Sequence, residues 1–484
     1  MTGSRITFPA SLERNVGGWL AGHPDGHERG AIILFRKFDR PVEGLLSSPR
    51  YVAVDAVAMD GDWVLDSSPT HLRINLRKLP PLYWRCEQEG LELGFAHSHP
   101  SGVSDFSEKD DRNEQAILRG YAGCNGQGVT LVALVFCDQT WRARTRSAAD
   151  PDLVVLARHI IVLGEKLKIY VPDAEGDTPE TLRRQDAAFG KPFNRKLQSL
   201  RAVVAGGGGT GSPTAIQLAR SGIGELVTID GDRLDASNLN RVRGYRRSDV
   251  DEKKAPTLAA YIDALGLDVA VASIDGYLDR PDAVDALATA DIVFGCTDDV
   301  AGRDIMNQAA YYYCLAYIDV GLTGRIDEDA DNMPYLRDHR GRISTIMPEH
   351  GACLRCQGVV TEAKLAYERA LRERPELAAL DPETLRREYY LSGGHESAPG
   401  VGPFTGTVAD LGVATFMDLI RPYRRLPTDL RQDNVWIDFV HMGIYSNMPT
   451  ADPDCFCCGR AGLMNRPEGA YRLGMPVLGR RDRA

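Results

Sequence analysis

Two histidines and an aspartate form the first set of side chains in this sequence that could do chemistry. The run GFAHSHPSGVSDFSEKD contains His97, His99 and Asp110. Because alternate side chains of a strand point to the same face, both histidines can reach one metal ion. Two histidines and one carboxylate leave the fourth tetrahedral position open, which is the arrangement of a catalytic zinc ion. Glu28, at the mouth of the apolar run AIILF, is the candidate general base.

This arrangement resembles the JAMM (MPN+) metallopeptidases over about residues 1–145. The family pattern H-x-H-P, six residues, S, two residues, D fits His97 to Asp110 without a gap, and its upstream glutamate fits Glu28, with Glu43 a weaker alternative. The resemblance implies hydrolysis of an isopeptide or peptide bond after the C-terminus of a ubiquitin-like protein. It also implies that Ser107 helps to stabilise the oxyanion. Taken alone, Ser107-x-x-Asp110 is more often a helix-capping pattern.

A glycine-rich loop marks a second candidate site. It follows an apolar strand and precedes a helix in RAVVAGGGGTGSPTAIQLARSG, with the pattern G-x-G-G-x-G at Gly206, Gly208, Gly209 and Gly211. Such a loop lets the backbone approach phosphates, and the helix N-terminus adds positive potential. Dehydrogenases also have this loop, where it binds a dinucleotide. Asp230, at the end of the next strand, would bind the ribose of a dinucleotide or of ATP.

Polar and charged residues beyond the loop distinguish a dehydrogenase from an enzyme that forms acyl-adenylates. They are Asn238 and Arg241 in SNLNR, Lys254 in DEKKA, and Asp298 after the strand DIVFGCT. A site for a nicotinamide cofactor does not need these charged side chains. A site where a carboxylate attacks the α-phosphate of ATP does need them, because cations must neutralise the phosphates and an acid must hold Mg²⁺. The sequence therefore predicts an adenylate-forming site.

These residues resemble the MoeB/ThiF branch of the ubiquitin-activating superfamily, over about residues 180–460. The family's D-x-D falls on Asp230 and Asp232, its S-N-L-N-R on residues 237–241, and its T-D-N/D on residues 297–299. Its lysine falls on Lys254, with Lys253 the less favoured choice. Two departures, Val242 for glutamine and Asp251 for glycine, remove no charged group.

The same resemblance extends to an arm that precedes the glycine loop. The family's R-Q-x-x-x-F/L-G matches the chain from Arg184 to Gly190. In that family the arginine of the arm reaches the ATP of a neighbouring subunit. The resemblance therefore implies a homodimer in which Arg184 contributes to the partner's nucleotide site.

Four cysteines form a third constellation. Cys353 and Cys356 make one C-x-x-C pair, and Cys455 and Cys458 make another near the end of the chain. Two such pairs fill a tetrahedral site without an open position, which predicts a structural zinc ion. MoeB/ThiF proteins have such a site in comparable places. By spacing, Cys457 is not a ligand, and Cys296 and Cys314 are expected in the core.

One residue expected from the resemblance is missing. Many relatives carry a cysteine before a G-V-x-x-P segment that takes the activated carboxylate as a thioester; here that position is His395, in GGHESAPG. Either the reaction stops at the acyl-adenylate, or Ser397 forms an oxyester with His395 as base. A plain polar crossover loop is the competing interpretation.

The remaining sequence places these sites in two α/β domains. Residues 1–150 are predicted to form a JAMM-type domain, residues 151–195 a linker and arm, and residues 196–484 a Rossmann-like, ThiF-type adenylation domain with the Cys₄ site. A helix-like segment at 70–90 is interrupted by Pro80-Pro81, and residues 361–390 read as a charged helical insertion.

The composition of the sequence limits the classes of partner and the compartment that we expect for this protein. The formal charge of -10 argues against a general binder of nucleic acid or membrane surfaces, and no apolar stretch is long enough to span a bilayer. The N-terminus lacks the apolar core of a signal peptide, so we expect a cytoplasmic protein.

Together these features predict a bifunctional enzyme that uses ATP, Mg²⁺ and two zinc ions. It would adenylate the C-terminus of a ubiquitin-like protein and cleave bonds after that C-terminus, with a ubiquitin-conjugating-like enzyme as a further partner. The alternatives are activation and processing of a sulfur-carrier protein, and a non-catalytic scaffold that binds ubiquitin-like proteins.

Overall fold

Two eight-stranded sheets organise the chain, each within its own α/β unit. The computed structural model describes residues 3–22, 25–172, 178–389, 391, 400–425, 433–447, 449–459 and 473. Among these residues, no helix combines the length and the apolar character needed to cross a membrane.

The first unit contains a sheet that closes on itself. Its strand order is β1-β3-β2-β6-β7-β8-β9-β10, and β1 also pairs with β9. The elements are β1 (Ser4–Pro9), α1 (Ala10–Ala21), β2 (Gly30–Phe38), β3 (Arg50–Ala58), β4 (Val64–Ser68), β5 (His71–Ile74), α2 (Pro80–Glu89), β6 (Leu91–Ser98), α3 (Glu108–Asn125), β7 (Thr130–Cys137), β8 (Thr140–Ser147), β9 (Asp150–Leu163) and β10 (Lys168–Tyr170).

Two expectations about this unit need correction. Residues 151–170 are not a linker, because β9 and β10 belong to the first sheet and β9 pairs in parallel with β1. The linker prediction followed the charged residues beyond residue 163 and missed a strand that is mainly apolar and whose second half is buried. The proline pair does not break a helix: Pro80 and Pro81 begin α2, where a missing N–H costs no hydrogen bond.

The second unit has a parallel core and an antiparallel extension. Its strand order is β13-β12-β11-β14-β15-β16-β17-β18, with parallel pairing from β13 to β15. The elements are α4 (Arg183–Phe189), α5 (Lys191–Ser199), β11 (Arg201–Ala205), α6 (Gly211–Arg220), β12 (Glu225–Ile229), α7 (Lys254–Asp263), β13 (Ala270–Ile274), α8 (Pro281–Ala288), β14 (Ile292–Gly295), α9 (Val300–Tyr312), β15 (Ala316–Glu328), β16 (Pro334–Ile346), α10 (Glu362–Glu373), α11 (Pro382–Tyr389), α12 (Gly402–Ile420), β17 (Asn434–Asp438) and β18 (Gly443–Tyr445).

This strand order determines where a ligand can bind. The direction of chain progression reverses between β11 and β14, so the loops after these two strands diverge and leave a crevice at their carboxyl ends. The strand order of the second unit is therefore Rossmann-like, as predicted, with the glycine loop at the head of the crevice.

A buried, charged interface joins the two units. Arg5 of β1 pairs with Asp291 of the second unit at 3.2 Å. Arg50 of β3 donates hydrogen bonds to the carbonyls of Ala288, Tyr313 and Cys314, at the C-terminal ends of α8 and α9. A cation is favourable there, because the carbonyls at a helix C-terminus have no partner within the helix.

Candidate metal and nucleotide sites

The two histidines and the aspartate of the first unit converge in the structure. His97 lies on β6 opposite Gly30 of β2, and Asp110 lies in the first turn of α3. His97 Nε2 is 2.9 Å from His99 Nε2 and 2.9 Å from Asp110 Oδ1, and His99 Nε2 is 3.5 Å from Asp110 Oδ2. All three residues are buried.

This cluster fits a zinc ion. Ligand atoms about 2.0–2.1 Å from a tetrahedral zinc lie roughly 3.3 Å from one another, close to the separations observed. His99 Nδ1 lies 2.7 Å from the carbonyl oxygen of Val103, and donation there leaves Nε2 free to bind a metal. Burial alone would raise the pKa of Asp110, but hydrogen bonds from His97 and His99 outweigh it and hold that pKa well below its usual range.

Glu28 lies beside this cluster, at the entrance to β2. Burial raises the pKa of Glu28 to about 7, opposed by the charge of His99 and reinforced by that of Asp110. A carboxylate with such a pKa can both accept and return a proton near neutral pH. Glu43, the alternative, is exposed on a loop whose neighbours Val42 and Gly44 pack against the second unit.

Ser107 has a structural task in the same site. It is the N-cap of α3, and its hydroxyl donates to Asp110 Oδ2 at 2.8 Å while the backbone N–H of Asp110 is directed back to Ser107. The capping alternative is therefore observed. In this arrangement the hydroxyl hydrogen is engaged by Asp110 rather than directed at a substrate.

The four cysteines of the two C-x-x-C pairs also converge. The Sγ atoms of Cys353 and Cys455 are 3.6 Å apart, and those of Cys356 and Cys458 are 3.5 Å apart. A zinc ion with Zn–S bonds of 2.3 Å requires S–S separations of about 3.8 Å, so the group fits a structural zinc. Cys457 is buried beside the group without belonging to it. Cys296 and Cys314 are buried in the core, as predicted.

A cavity of about 750 Å³ opens at the carboxyl ends of β11, β12 and β14. Of the residues predicted to hold a nucleotide, those that line it are Gly206, Gly208, Gly209, Asp230, Asp232, Asn238, Arg241, Lys254 and Asp298. Gly211 does not line the cavity but packs against the glycine loop, where a Cβ would lie 1.7 Å from the carbonyl oxygen of Gly206. The glycine at 211 therefore allows α6 to approach the loop.

Hydrogen bonds fix the acidic side of the cavity. Asp230 accepts from the backbone N–H of Gly207 at 2.6 Å and from that of Asp232 at 2.8 Å. Lys254 Nζ pairs with Asp232 at 2.8 Å within the cavity wall. Lys253 instead pairs with Asp275 at 2.9 Å and does not line the cavity, which favours Lys254 as the phosphate partner.

The other predicted residues divide between inside and outside. Arg241 lines the cavity beside Gly209 and donates to the carbonyl of Ser237 at 2.8 Å. Arg184 lies exposed on α4 and does not line the cavity of its own chain. His395 and Ser397 fall outside the described residues.

Sequence reasoning missed several residues of this cavity. Tyr245 does not line the cavity itself, but its hydroxyl oxygen lies 2.9 and 3.1 Å from the carbonyl oxygens of Gly207 and Lys254 and so joins the glycine loop to α7. Tyr277 comes from the loop after β13. Three more residues come from α10, in the charged insertion: Glu368, Leu371 and Arg372. No motif marks them.

Comparison with known proteins identifies the second unit. The family model described as "ThiF family" matches residues 182–457, which is more than half of the chain. The chain belongs to the ThiF family. The ThiF match begins one residue before α4, so the arm at Arg184 lies inside it.

Curated relatives of this ThiF-family chain act in several settings. It is 26% identical to Protein HesA of Leptolyngbya boryana over 58% of this chain and 85% of HesA. It is 30% identical to the SAMP-activating enzyme E1 of Haloferax volcanii, over 33% of this chain and 54% of that enzyme. It is 34% identical to the sulfur carrier protein ThiS adenylyltransferase of Escherichia coli, over 24% of this chain and 46% of that protein. The chain thus spans about half the length of the last two relatives.

A solved structure is also similar to this ThiF-family chain. The crystal structure of Escherichia coli MccB with MccA-N7isoASN aligns with a TM-score of 0.46 and 19% identity. The alignment covers 59% of this chain and 76% of that one.

Proposed function

We propose that this chain is a two-headed enzyme that adenylates the C-terminal carboxylate of a ubiquitin-like protein and hydrolyses bonds after that C-terminus. One observation carries the first activity. The glycine loop, Asp230, Arg241, Lys254 and Asp298 surround a single cavity in a ThiF-family unit. ATP is the nucleotide that such a unit is expected to use.

In the adenylation step, a carboxylate oxygen of the substrate attacks the α-phosphorus of ATP. The new O–P bond forms as the bond to pyrophosphate breaks, and negative charge accumulates on both phosphate groups. Lys254 and Arg241 lower the barrier by neutralising this charge, and the amides of the glycine loop bind the phosphate oxygens. Asp298 would hold Mg²⁺, which supplies further neutralisation when bound.

The second activity is supported by the geometry of His97, His99, Asp110 and Glu28. His97, His99 and Asp110 would hold a zinc ion, which supplies Lewis-acid polarisation of the scissile carbonyl and makes water more acidic when bound. Glu28 takes the proton of the attacking water and delivers it to the leaving amine as the C–N bond breaks. Ser107 keeps Asp110 in place through the α3 cap.

The two activities act in sequence on one flexible tail. Hydrolysis exposes the carboxylate that adenylation consumes, so a fusion of the two domains is chemically coherent. We propose residues 3–170 as the hydrolase domain and residues 178–459 as the adenylation domain, with a ubiquitin-conjugating-like enzyme as acceptor. Exposed Arg184 is consistent with a homodimer in which the arm reaches the partner's cavity.

Sulfur-carrier metabolism is the second candidate. Two relatives support it: the sulfur carrier protein ThiS adenylyltransferase of Escherichia coli, and the adenylyltransferase and sulfurtransferase UBA4 of Meyerozyma guilliermondii. Both candidates use the same adenylation chemistry and differ in the carrier protein. A scaffold without catalysis would bind such carriers and leave ATP intact.

Crossover-loop chemistry is a separate proposal, since no cysteine lies between Cys356 and Cys455. If Ser397 accepts the acyl group, the adduct is an oxyester that resists thiols and is cleaved by hydroxide. Ser397→Ala should then abolish the adduct and leave adenylation intact. A thiol-sensitive adduct would contradict this proposal.

ATP–pyrophosphate exchange tests the proposed adenylation. We expect exchange with the wild-type chain in the presence of a suitable ubiquitin-like or sulfur-carrier protein, and its loss in Asp298→Ala. Cleavage of a fusion to the same protein should persist in that variant, because the cluster of His97, His99 and Asp110 lies in the first unit. Exchange at the wild-type rate in Asp298→Ala would overturn the assignment of the nucleotide site.

A further inference from the structure

Helix α10 forms one wall of the cavity, although nothing in the nucleotide-binding motifs includes it. Glu368 and Leu371 are half-buried there and Arg372 is exposed at its rim. The three residues lie within one helical turn of each other, so one face of α10 is turned to the cavity. The insertion is therefore joined to the site rather than appended to a distant surface.

Glu368 attaches α10 to the first turn of α9. Its carboxylate accepts hydrogen bonds from the backbone N–H groups of Val300 and Ala301, at 2.6 and 2.9 Å. The next backbone N–H, that of Gly302, donates a hydrogen bond to the carboxylate of Asp299 at 2.6 Å. The first of these donors lies two residues after Asp298. Glu368 thus caps the first turn of α9, just beyond the expected Mg²⁺ ligand, where a helix N-terminus favours negative charge.

Arg372 extends the same face toward the other end of the cavity. Its charge acts on Tyr277, whose hydroxyl donates to Asp232 at 2.9 Å. The ring of Tyr277 lies against Gly231, next to Asp230, the expected ribose partner. Arg241 lies in another part of the wall, beside Gly209 of the glycine loop. Arg372 therefore lies on the side of the cavity where Tyr277 and the expected ribose partner lie.

We propose that α10 is part of the nucleotide site, in which Leu371 and Arg372 cover the adenosine half of the nucleotide and Glu368 is the positioning residue that holds the helix there. The inference rests on the proposed binding of ATP in this cavity. An aliphatic side chain and a planar guanidinium both pack well on the face of a purine base. The insertion therefore contributes to recognition of an adenine nucleotide, beyond the motif residues.

Nucleotide binding to the full-length chain tests the role of Arg372. The probes are ATP, AMP and inorganic tripolyphosphate, measured by calorimetry with wild type, Arg372→Ala and the control Arg369→Ala, an exposed arginine on α10 that does not line the cavity. We expect Arg372→Ala to raise the Kd of both ATP and AMP about fivefold. Tripolyphosphate binding should stay unchanged, and Arg369→Ala should match wild type for all three probes.

Other results would overturn the inference. Equal weakening of tripolyphosphate would show that Arg372 acts on the phosphates, and an unchanged Kd for AMP would show that it does not contact the adenosine half. Failure of the wild-type chain to bind ATP at all would instead overturn the proposed function. The two failures are therefore distinguishable.

Glu368 has its own test. We expect Glu368→Ala to raise the Kd of AMP about tenfold, and Glu368→Gln to give an intermediate Kd, because the amide oxygen replaces only one of the two carboxylate acceptors. Glu373→Ala, an exposed glutamate at the end of α10, is the control. A Glu368→Ala variant that is folded by its melting curve and binds AMP like wild type would contradict the positioning role.

Discussion

The guanidinium of Arg5 and the carboxylate of Asp291 lie 3.2 Å apart although 286 residues separate them in the chain. Neither side chain is more than 1% exposed. His159 binds the other oxygen of Asp291 at 3.2 Å, so one carboxylate of the second unit receives two groups from the first. The two candidate sites therefore sit on units that share a buried ionic contact.

Removal of this carboxylate should destabilise the whole chain. Asp291→Asn leaves the guanidinium of Arg5 buried without a negative partner, and we expect the free energy of unfolding to fall by about 3 kcal/mol. Asp282→Asn, which breaks an exposed pair with Arg280, should change it by less than about 0.5 kcal/mol. Chemical denaturation of both variants measures the difference. Equal stability of the two variants would mean that the interface contributes nothing.

The same pair predicts how stability depends on pH. Burial would raise the pKa of Asp291, but the charges of His159 and Arg5 outweigh it and hold that pKa far below the value of about 3.9 in the unfolded chain. The unfolded state therefore binds the proton first, and the stabilisation is present above pH 4 and lost as the pH falls. Between pH 4 and pH 3, wild type should lose about 1 kcal/mol more than Asp291→Asn. Parallel pH profiles would contradict this assignment.

Zinc content distinguishes the two metal clusters. Cys356→Ser and His97→Ala should each lose about one equivalent of zinc per chain, because each removes a ligand from a separate site. Cys457→Ser should keep both equivalents, since its sulfur lies outside the four-cysteine group. Metal analysis of the purified variants gives the answer. Loss of zinc in Cys457→Ser would identify it as a ligand.

Glu28 should be required for hydrolysis but not for metal binding. Glu28→Ala removes the proton acceptor and should lower kcat for cleavage of a ubiquitin-like fusion by about 10²–10⁴-fold, with zinc retained. Glu43→Ala is the matched control, because its exposed side chain lies on the loop packed against the second unit. A variant at Glu28 with wild-type cleavage would exclude it as the base.

The adjacent lysines should behave differently in adenylation. Lys254→Ala removes a cation from the cavity and should lower kcat/KM for pyrophosphate exchange by about 10²-fold or more. Lys253→Ala should have little effect, because its ammonium pairs with Asp275 outside the cavity. Equal losses in both variants would show that the effect is not specific to a phosphate partner.

Local patterns predicted which motif residues converge at each candidate site, but not the residues that α10 adds to the cavity. A strand period of two placed His97 and His99 on one face, and the strand–glycine–helix order placed Asp230 after β12 and Asp298 after β14, on either side of β11. These inferences succeed because the side chains are positioned by nearby backbone. Lys254, which was chosen over Lys253 on a family resemblance, lines the cavity, and Lys253 does not.

Features that depend on distant partners were not predictable. The first half of β9 is largely exposed and was predicted as part of a linker, whereas it pairs with β8 and the second half of the strand pairs with β1. Glu368 is one of many charged residues in an insertion, and its hydrogen bonds to α9 arise from tertiary packing. Arg5 and Asp291 are individually ordinary, since only the fold brings them together.

The central claim is that the two units act on the same C-terminus, and pyrophosphate release from two forms of one carrier tests it directly. One form is mature, and the other carries a C-terminal extension that blocks its carboxylate. Wild type should release pyrophosphate with both forms, whereas His97→Ala should release it only with the mature form. Release from the extended form by His97→Ala at the wild-type rate, or no release by wild type with either form, would contradict the account.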